Sequence, residues 1–535
     1  MTRSPRILLA GPFKPFAVDN IFSRKESIPE LFHNQITHYQ GIYSPRIHYP
    51  TYGLHLIAAN VPADITVLDF PTWPRFLKEI QKGYDYIGIG SIIPNLYKVK
   101  RMTEAIRVVS PTSKIILGGF CSMLPDLEKL VEVDYVCRGE GIRFMRQLLG
   151  FSPEFQFVHP DLGNRTIQVL GIPMNKYLPC LVTGLGCDRG CDFCSVTHFF
   201  GHRHLIFHET GQAVFDEMVR FEKRFKTTAM GLLGDDNFTA HITRARELHQ
   251  LMIAHEKPYS YGTFGSADTL VRFSAQELAE MGIDTIWIGR ESKFQPYAKN
   301  ANINMKELVE NLKTWGIRVI LSSILLMDQH TKQNIREDID DHIAIEPTFS
   351  QFAFLSPAPG TPLFDRMLSE DRILDGIPYE ECHAFKQPWF YHPEFTLYEA
   401  EQVQQSAYRR EFCKLGPGLA RLIHTTIRGY LSFKESQSPP LKKRAAQIEK
   451  KLWFYKSALY DMELLAPDSQ IRERVRSIRK EVEGMVGRLT FVEKAIGAAA
   501  YIPGTAQKLY QSVFGDVLQP KTTYHHYPAD WQRQP

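Results

Sequence analysis

What this chain has little of narrows its class first. No stretch approaches the roughly 18 uninterrupted apolar residues that a membrane span needs. Lysine and arginine number 63 against 59 aspartates and glutamates, and a formal net charge of +4 is too mild to mark a nucleic-acid binder. Cysteine is scarce, eight in 535 residues, which excludes a disulfide-stapled secreted scaffold and leaves metal ligands or buried thiols. The apolar run after Met1-Thr2-Arg3-Ser4-Pro5-Arg6 stops before Gly11-Pro12. It is too short for a signal-peptide core and reads as a first strand, so the expected compartment is the cytoplasm. There is no internal repeat or low-complexity tract. What remains is an ordinary globular composition, 44% hydrophobic and 23% charged, with length for about three domains.

Residues 1–150 alternate short apolar strands with helical stretches. Ile7–Ala10, Ile65–Asp69, Tyr86–Gly90, Lys114–Gly119 and Tyr135–Cys137 are the strands, with helices over Gly53–Val61, Trp73–Lys82 and Leu96–Val109. This rhythm predicts a doubly wound parallel sheet. Ligands of such sheets lie beyond the carboxyl ends of the strands, where Gly90, Gly118, Gly119 and Gly139 admit close approach. No G-x-G-x-x-G follows the first strand, so a dinucleotide site is not expected.

Residues 151–172 are polar, carry Pro153, Pro160 and Gly163, and read as a linker. From 173 to 395 a β/α rhythm resumes through six strands: Leu178–Thr183, Ala229–Leu233, Tyr259–Phe264, Thr285–Ile288, Arg318–Leu326 and Gln351–Leu355. Six such repeats predict an open (β/α)6 barrel with its site at the carboxyl strand ends. Three of the eight cysteines follow the first of these strands, in Gly186-Cys187-Asp188-Arg189-Gly190-Cys191-Asp192-Phe193-Cys194. Thiolates select Fe–S clusters, zinc or copper(I). Because a [4Fe–4S] cluster usually takes four cysteines, three leave one iron open. Structural zinc is the competing reading, with His198, His202 or His204 as fourth ligand. The other cysteines, Cys121, Cys137, Cys180, Cys382 and Cys413, have no metal-like neighbours in sequence and read as buried thiols.

The cysteine run resembles the cluster loop of the radical S-adenosylmethionine (SAM) enzymes, including the aromatic Phe193 before the third cysteine. That resemblance implies a [4Fe–4S] cluster on Cys187, Cys191 and Cys194, with SAM chelated by the open iron. One electron from the cluster then cleaves SAM to a 5′-deoxyadenosyl radical. It also implies SAM contacts from Phe193, from Asp235-Asp236-Asn237 after the second strand, and from Glu291-Ser292 after the fourth. Relatives commonly show Gly-Ile-Glu-Ser there, whereas this chain has Gly289-Arg290-Glu291-Ser292. Arg290 reads either as a partner for a carboxylate of SAM or substrate, or as a surface salt bridge.

Upstream, Tyr49-Pro50-Thr51-Tyr52-Gly53-Leu54, Leu117-Gly118-Gly119-Phe120 and Arg138-Gly139-Glu140-Gly141 resemble the cobalamin-binding domain that precedes many radical SAM cores. Asp-Asp-Asn-Phe at 235–238 and Pro-Gly-Thr-Pro at 359–362 resemble the same branch. The implied cobalamin contacts are Tyr52, Gly53, Gly90, Ser91, Gly118, Gly119, Gly139 and Glu140. The D-x-H-x-x-G pattern that supplies a cobalt ligand in other cobalamin proteins is absent. His48 and His55 are the nearest histidines, and each reads as a core or surface residue.

Residues 396–535 read as a helical extension. Leu419, Leu422, Ile423, Thr426, Ile427 and Tyr430 recur at helical spacing, with Arg421, Arg428 and Lys434 on the other side. Pro440–Thr490 holds twelve Lys/Arg against seven Asp/Glu. Two readings follow: a helical cap over the barrel, or a peripheral membrane contact through Gly418–Ser432. The expected protein is a cobalamin-dependent radical SAM methyltransferase of an unactivated carbon, in a lipid or natural-product substrate. A non-methylating cyclase or C–C coupling enzyme is the alternative, and a non-catalytic cobalamin or cluster sensor a third reading. A one-electron donor such as flavodoxin or ferredoxin is the implied partner.

Overall fold

Alternation along the first strand sets the N-terminal architecture. In Arg6–Ala10, Ile7 and Leu9 join one buried cluster while Leu8 and Ala10 join another on the opposite face. A strand buried on both sides needs helices on both sides. Tyr52–Asn60 and Gly141–Leu148 cover the first face, through Leu54, Leu56, Ile142 and Met145. Trp73–Ile80 and Leu96–Val109 cover the second, through Phe76, Ile80, Val99 and Met102. The computed structural model describes residues 4–15, 31–295, 297–515 and 519–531, so Met1–Arg3 of the leader reading lie outside the described residues.

Five strands of this sheet run parallel, in the order Asp64–Asp69, Arg6–Ala10, Tyr86–Gly90, Lys114–Gly118, Tyr135–Val136. The chain order switches direction between Arg6–Ala10 and Tyr86–Gly90, which opens a crevice at their carboxyl ends. A sixth strand, Thr523–Tyr527, pairs antiparallel with Asp64–Asp69. The C-terminal part is therefore not wholly helical: its last described strand closes the edge of the N-terminal sheet.

The segment read as an irregular linker is also partly ordered. Gly163–Val169 and Ile172–Val182 form an antiparallel hairpin through Leu170 and Gly171, whose φ angles are 51° and 76°. Two consecutive left-handed residues make the tight turn whose twist suits a hairpin. Arg46–His48 adds to its outer edge.

Ile172–Val182 then pairs parallel with Leu232–Gly234, and an Ala229–Ser260 bridge leads on to Tyr261–Gly265. Ile283–Glu291, Arg318–Leu325 and Phe349–Phe354 follow, each parallel to its neighbour. Outward residues of this series (Leu233, Ile286, Ile288, Val319) pack against Val214, Met218, Leu248, Val309 and Leu312 of the intervening helices.

Helices fill most of the rest: Leu397–Leu415, Gly418–Glu435, Pro439–Glu449, Leu452–Leu464, Ser469–Val486 and Phe491–Phe514. The stripe on Gly418–Glu435 is buried, which removes it as a membrane contact. Ile423, Ile427, Tyr430 and Phe433 are covered. Gly429 approaches Gly316 so closely that a Cβ would sit 2.4 Å from the Gly316 Cα. Arg421 bonds Glu411 and the Pro347 carbonyl, and Arg428 reaches Glu310 at 2.6 Å. Arg421 and Arg428 thus tie this helix to its neighbours. Among the described residues no helix is long and apolar enough to cross a membrane.

Candidate functional site

The cysteine loop is clamped from several sides at once. Its base is a short ladder between Gly184–Leu185 and Leu205–Ile206. Gly186, with φ of 83°, donates its N–H to Asp236 at 2.7 Å, and a Cβ there would lie 2.3 Å from the Arg203 carbonyl. Arg189 reaches Asp268 at 2.6 Å and Ser266 at 3.1 Å. The Tyr297 hydroxyl donates to Asp192 at 2.9 Å, and its ring meets Phe193 edge-on at 5.2 Å. Thr197 and His198 donate to the carbonyls of Cys187 and Cys191. Cys187, Cys191 and Cys194 are all half-buried. Burial pushes the Cys187 and Cys191 thiols upward from the usual range.

Of the three histidines that could complete a structural zinc site, two are engaged elsewhere and His202 lies beside Gly190 of the loop. His198 is spent on the Cys191 carbonyl at 3.1 Å. The Nε2 of His204 lies 3.0 Å from Asp235, and its Nδ1 is 2.8 Å from His241. Zinc with bonds of about 2.3 Å gathers its sulfurs to about 3.8 Å apart. Among the described residues, only His55, Asp69 and His525 bring three such ligand atoms within 4.8 Å of one another, so the thiols are spread more widely.

The segment after the second strand mostly supports the loop. Asp235 is buried and takes hydrogen bonds from Thr183 at 3.0 Å and Arg244 at 2.8 Å. Burial raises its pKa, but His204 and Arg244 more than offset this and hold the carboxyl below its usual range. Asp236, gripping Gly186, is pushed up to about 6 by burial. Asn237 donates to Ser266 at 3.2 Å.

After the fourth strand, pairing slips between Gly289 and Glu291 opposite Ser322 and Ser323, and Glu291 takes a φ of 62°. This bulge turns Glu291 over Gly289, where a Cβ would lie 2.3 Å from the Glu291 carboxylate. Glu291 pairs with Lys299. Arg290 follows neither expectation: it is buried and bonds Asp338 at 2.8 Å, Asp341 at 2.5 Å and Ser323 at 3.0 Å. It continues the outward face of Ile286 and Ile288 and lies against helix Ile335–Ala344, where a buried guanidinium requires carboxylate partners. Ser292 lies 3.2 Å from His330 and accepts from the Phe294 N–H at 3.1 Å. Lys299 and Tyr297 are site residues that sequence reasoning missed. Burial lowers the Lys299 pKa, yet its pairing with Glu291 helps carry it above its usual range.

A cavity of about 520 Å³ opens at the crevice of the N-terminal sheet. Tyr52, Gly53, Gly90, Ser91, Gly118, Gly119, Gly139 and Glu140 all line it. Gly119, with φ of 82°, passes so near Ser91 that a Cβ would meet its carbonyl at 2.3 Å. Glu140 caps helix Gly141–Leu148, accepting from the N–H groups of Ile142 and Arg143, so its carboxylate is already engaged. Leu185, Phe199 and Phe200, which flank the cysteine loop, complete the wall. Phe120 and Phe199 meet across it with ring centroids 4.8 Å apart. The glycine-lined crevice and the cysteine loop therefore share one apolar boundary.

A solved structure of the radical SAM methyltransferase TsrM from Kitasatospora setae, with cobalamin and a [4Fe–4S] cluster bound, matches with a TM-score of 0.54. The identity is 15%, covering 84% of this chain and 99% of that one. The chain shares the fold of that enzyme. A second TsrM structure, with tryptophan substrate and a SAM analog, gives a TM-score of 0.51 at 15% identity over 69% of this chain and 76% of that one. In sequence, the bacteriochlorophyllide d C-12(1)-methyltransferase of Chlorobaculum tepidum is 24% identical over 65% of this chain and 79% of its own length. The anaerobic magnesium-protoporphyrin IX monomethyl ester cyclase of Cereibacter sphaeroides is 22% identical over 63% of this chain and 61% of its own. No family model matches the chain.

Proposed function

We infer that the chain is a cobalamin-dependent radical SAM methyltransferase that acts on an unactivated carbon of a lipid or other bulky natural product. The observation that carries this reading is the shared wall: residues flanking the cysteine loop close the same cavity that the glycine-lined strand ends open. Cys187, Cys191 and Cys194 would hold the [4Fe–4S] cluster, and the cavity from Tyr52 to Glu140 would take the nucleotide tail of cobalamin. When bound, the cluster supplies the electron that opens SAM, and cobalamin carries the methyl group. The protein's own part is positioning. Asp236 and Arg189 fix the loop, Lys299 and Glu291 set a charged pair beside it, and Phe120, Phe199 and Phe200 exclude water. The six consecutive parallel strands would form the open (β/α)6 barrel over 173–395, after a cobalamin-binding unit over 1–150, a linker over 151–172 and a largely helical unit over 396–535. A flavodoxin or ferredoxin would serve as electron donor, in a cytoplasmic setting.

Ring formation or C–C coupling is the second reading, favoured by the likeness to the Cereibacter cyclase. Both differ from a non-catalytic sensor in having a product. The test is a deletion strain fed methionine with a deuterated methyl group. Methylation predicts a labelled lipid or metabolite that vanishes on deletion and returns with the intact gene, though not with Cys191→Ala. A product lost on deletion but carrying no label contradicts methylation and favours the cyclase. No altered product at all favours the sensor.

A further inference from the structure

The helix Phe491–Phe514 is built inside out. Its glycines face the protein, while most of its large apolar side chains face away. A Cβ on Gly497 would meet the Ser457 carbonyl at 2.6 Å, and one on Gly504 would meet Leu465 at 2.9 Å. The opposite face presents Phe491 at 86% exposure, Ile502 at 70%, Leu509 at 65%, Val513 at 73% and Phe514 at 72%. Trp453 and Phe454, on the helix packed beside it, are also exposed. A contiguous apolar face of this size on a folded chain marks an interaction surface.

Charge identifies what covers it. The helix has one acid, Glu493, which is turned inward and paired with Lys456 at 2.9 Å. Next in sequence to these two helices are the exposed cations Arg488, Lys494, Lys450 and Lys451, while the neighbouring exposed acid, Glu449, accepts from the Tyr430 hydroxyl at 3.1 Å. A second copy laid symmetrically on this face would bring like charges together, with no exposed acid from either helix to meet them. An anionic bilayer supplies both apolar depth and negative headgroups, and aromatic rings such as Phe491, Trp453 and Tyr510 suit the interfacial layer. We propose that helix Phe491–Phe514 lies in the plane of an anionic membrane surface and anchors the protein there. At 24 residues it offers about 36 Å of contact.

The placement leaves the site accessible. Gly504 packs on Gly171, in the turn before strand Ile172–Val182, whereas the cysteine loop follows the other end of that eleven-residue strand. At about 3.3 Å per residue that strand is roughly 35 Å long. The inference rests on this surface alone, independent of the reaction proposed above.

Co-sedimentation of the full-length protein with vesicles tests it. Equal parts of phosphatidylcholine and phosphatidylglycerol should pellet the protein, with pure phosphatidylcholine or high salt weakening binding about tenfold or more. Two variants should lose binding while keeping their circular-dichroism spectra: Ile502→Ser with Leu509→Ser and Val513→Ser, and Arg488→Glu with Lys494→Glu. The second leaves the apolar face intact, so its loss is not a packing defect. Protein that stays in the supernatant with anionic vesicles overturns the proposal. So does a stable dimer in sedimentation equilibrium that the apolar variant dissociates.

Discussion

At the residue scale, buried charges and glycines carry most of the site's rigidity. Asp235 stands between Arg244 and His204 with almost no solvent, so removing its charge leaves a buried guanidinium unpaired. Asp235→Asn should destabilise the fold by about 3 kcal/mol, read as a lowered urea midpoint at unchanged slope. Gly186→Ala should lose iron loading, because the new Cβ meets the Arg203 carbonyl at 2.3 Å while φ remains left-handed. Gly53 offers a cleaner probe of the cavity. Nothing lies within 4 Å of its Cβ position, so the first atom of a Gly53→Phe side chain meets no neighbour at the cavity lining. Cobalamin retention should fall severalfold while the melting temperature holds. A drop in melting temperature alone would place the effect in folding instead.

At the element scale, helix Leu452–Leu464 carries a titration of its own. Asp461 is buried, its carboxylate has no hydrogen-bond partner, and burial pushes it up to about 7. A folded-state pKa raised above the unfolded value means that folding favours the neutral acid. That contribution is complete below about pH 4 and is lost as pH rises through 7. Asp461→Asn should therefore gain about 2 kcal/mol over the native chain at pH 8 and little at pH 4, measured by denaturant midpoints at both.

Strand Thr523–Tyr527 shows what sequence alone withholds. Its Thr-Tyr-His-His-Tyr composition is strand-like, but its partner Asp64–Asp69 lies some 450 residues upstream, and local pattern holds no trace of that pairing. Tyr527 bonds His55 at 2.8 Å, His55 bonds Asp69 at 2.6 Å, and Asp69 accepts the Thr51 N–H at 3.1 Å at the cavity wall. Deleting residues 519–535 should lower both the melting temperature and cobalamin retention, since the sheet loses an edge and Thr51 loses its brace. Cobalamin retention equal to that of the full chain would show the strand to be dispensable to the cavity.

At the scale of the whole molecule, legibility followed chemistry and period. The cysteine loop and the strand-end glycines were readable because thiolate spacing and backbone approach each demand particular residues. The parallel strands were readable because burial on both faces makes them continuously apolar, as in Ile87–Ile89 and Ile115–Leu117. Arg290 was not readable, because nothing in the local sequence shows that Asp338 and Asp341 of a later helix come to lie against it. The exposed face of Phe491–Phe514 was hidden for a related reason: an apolar helix reads as core until its packing against Gly171 and Leu465 shows which side is covered.

The central claim is that three thiols and a glycine-lined crevice hold two cofactors against one wall. Its most direct measurement is the stoichiometry and reactivity of the anaerobically reconstituted full chain. The account predicts about four irons and about one cobalamin per chain, with reductive turnover of SAM. Cys187→Ala, Cys191→Ala or Cys194→Ala should abolish the iron and the turnover while sparing cobalamin. A chain that takes up zinc and no iron, or one that shows no affinity for hydroxocobalamin, would contradict it.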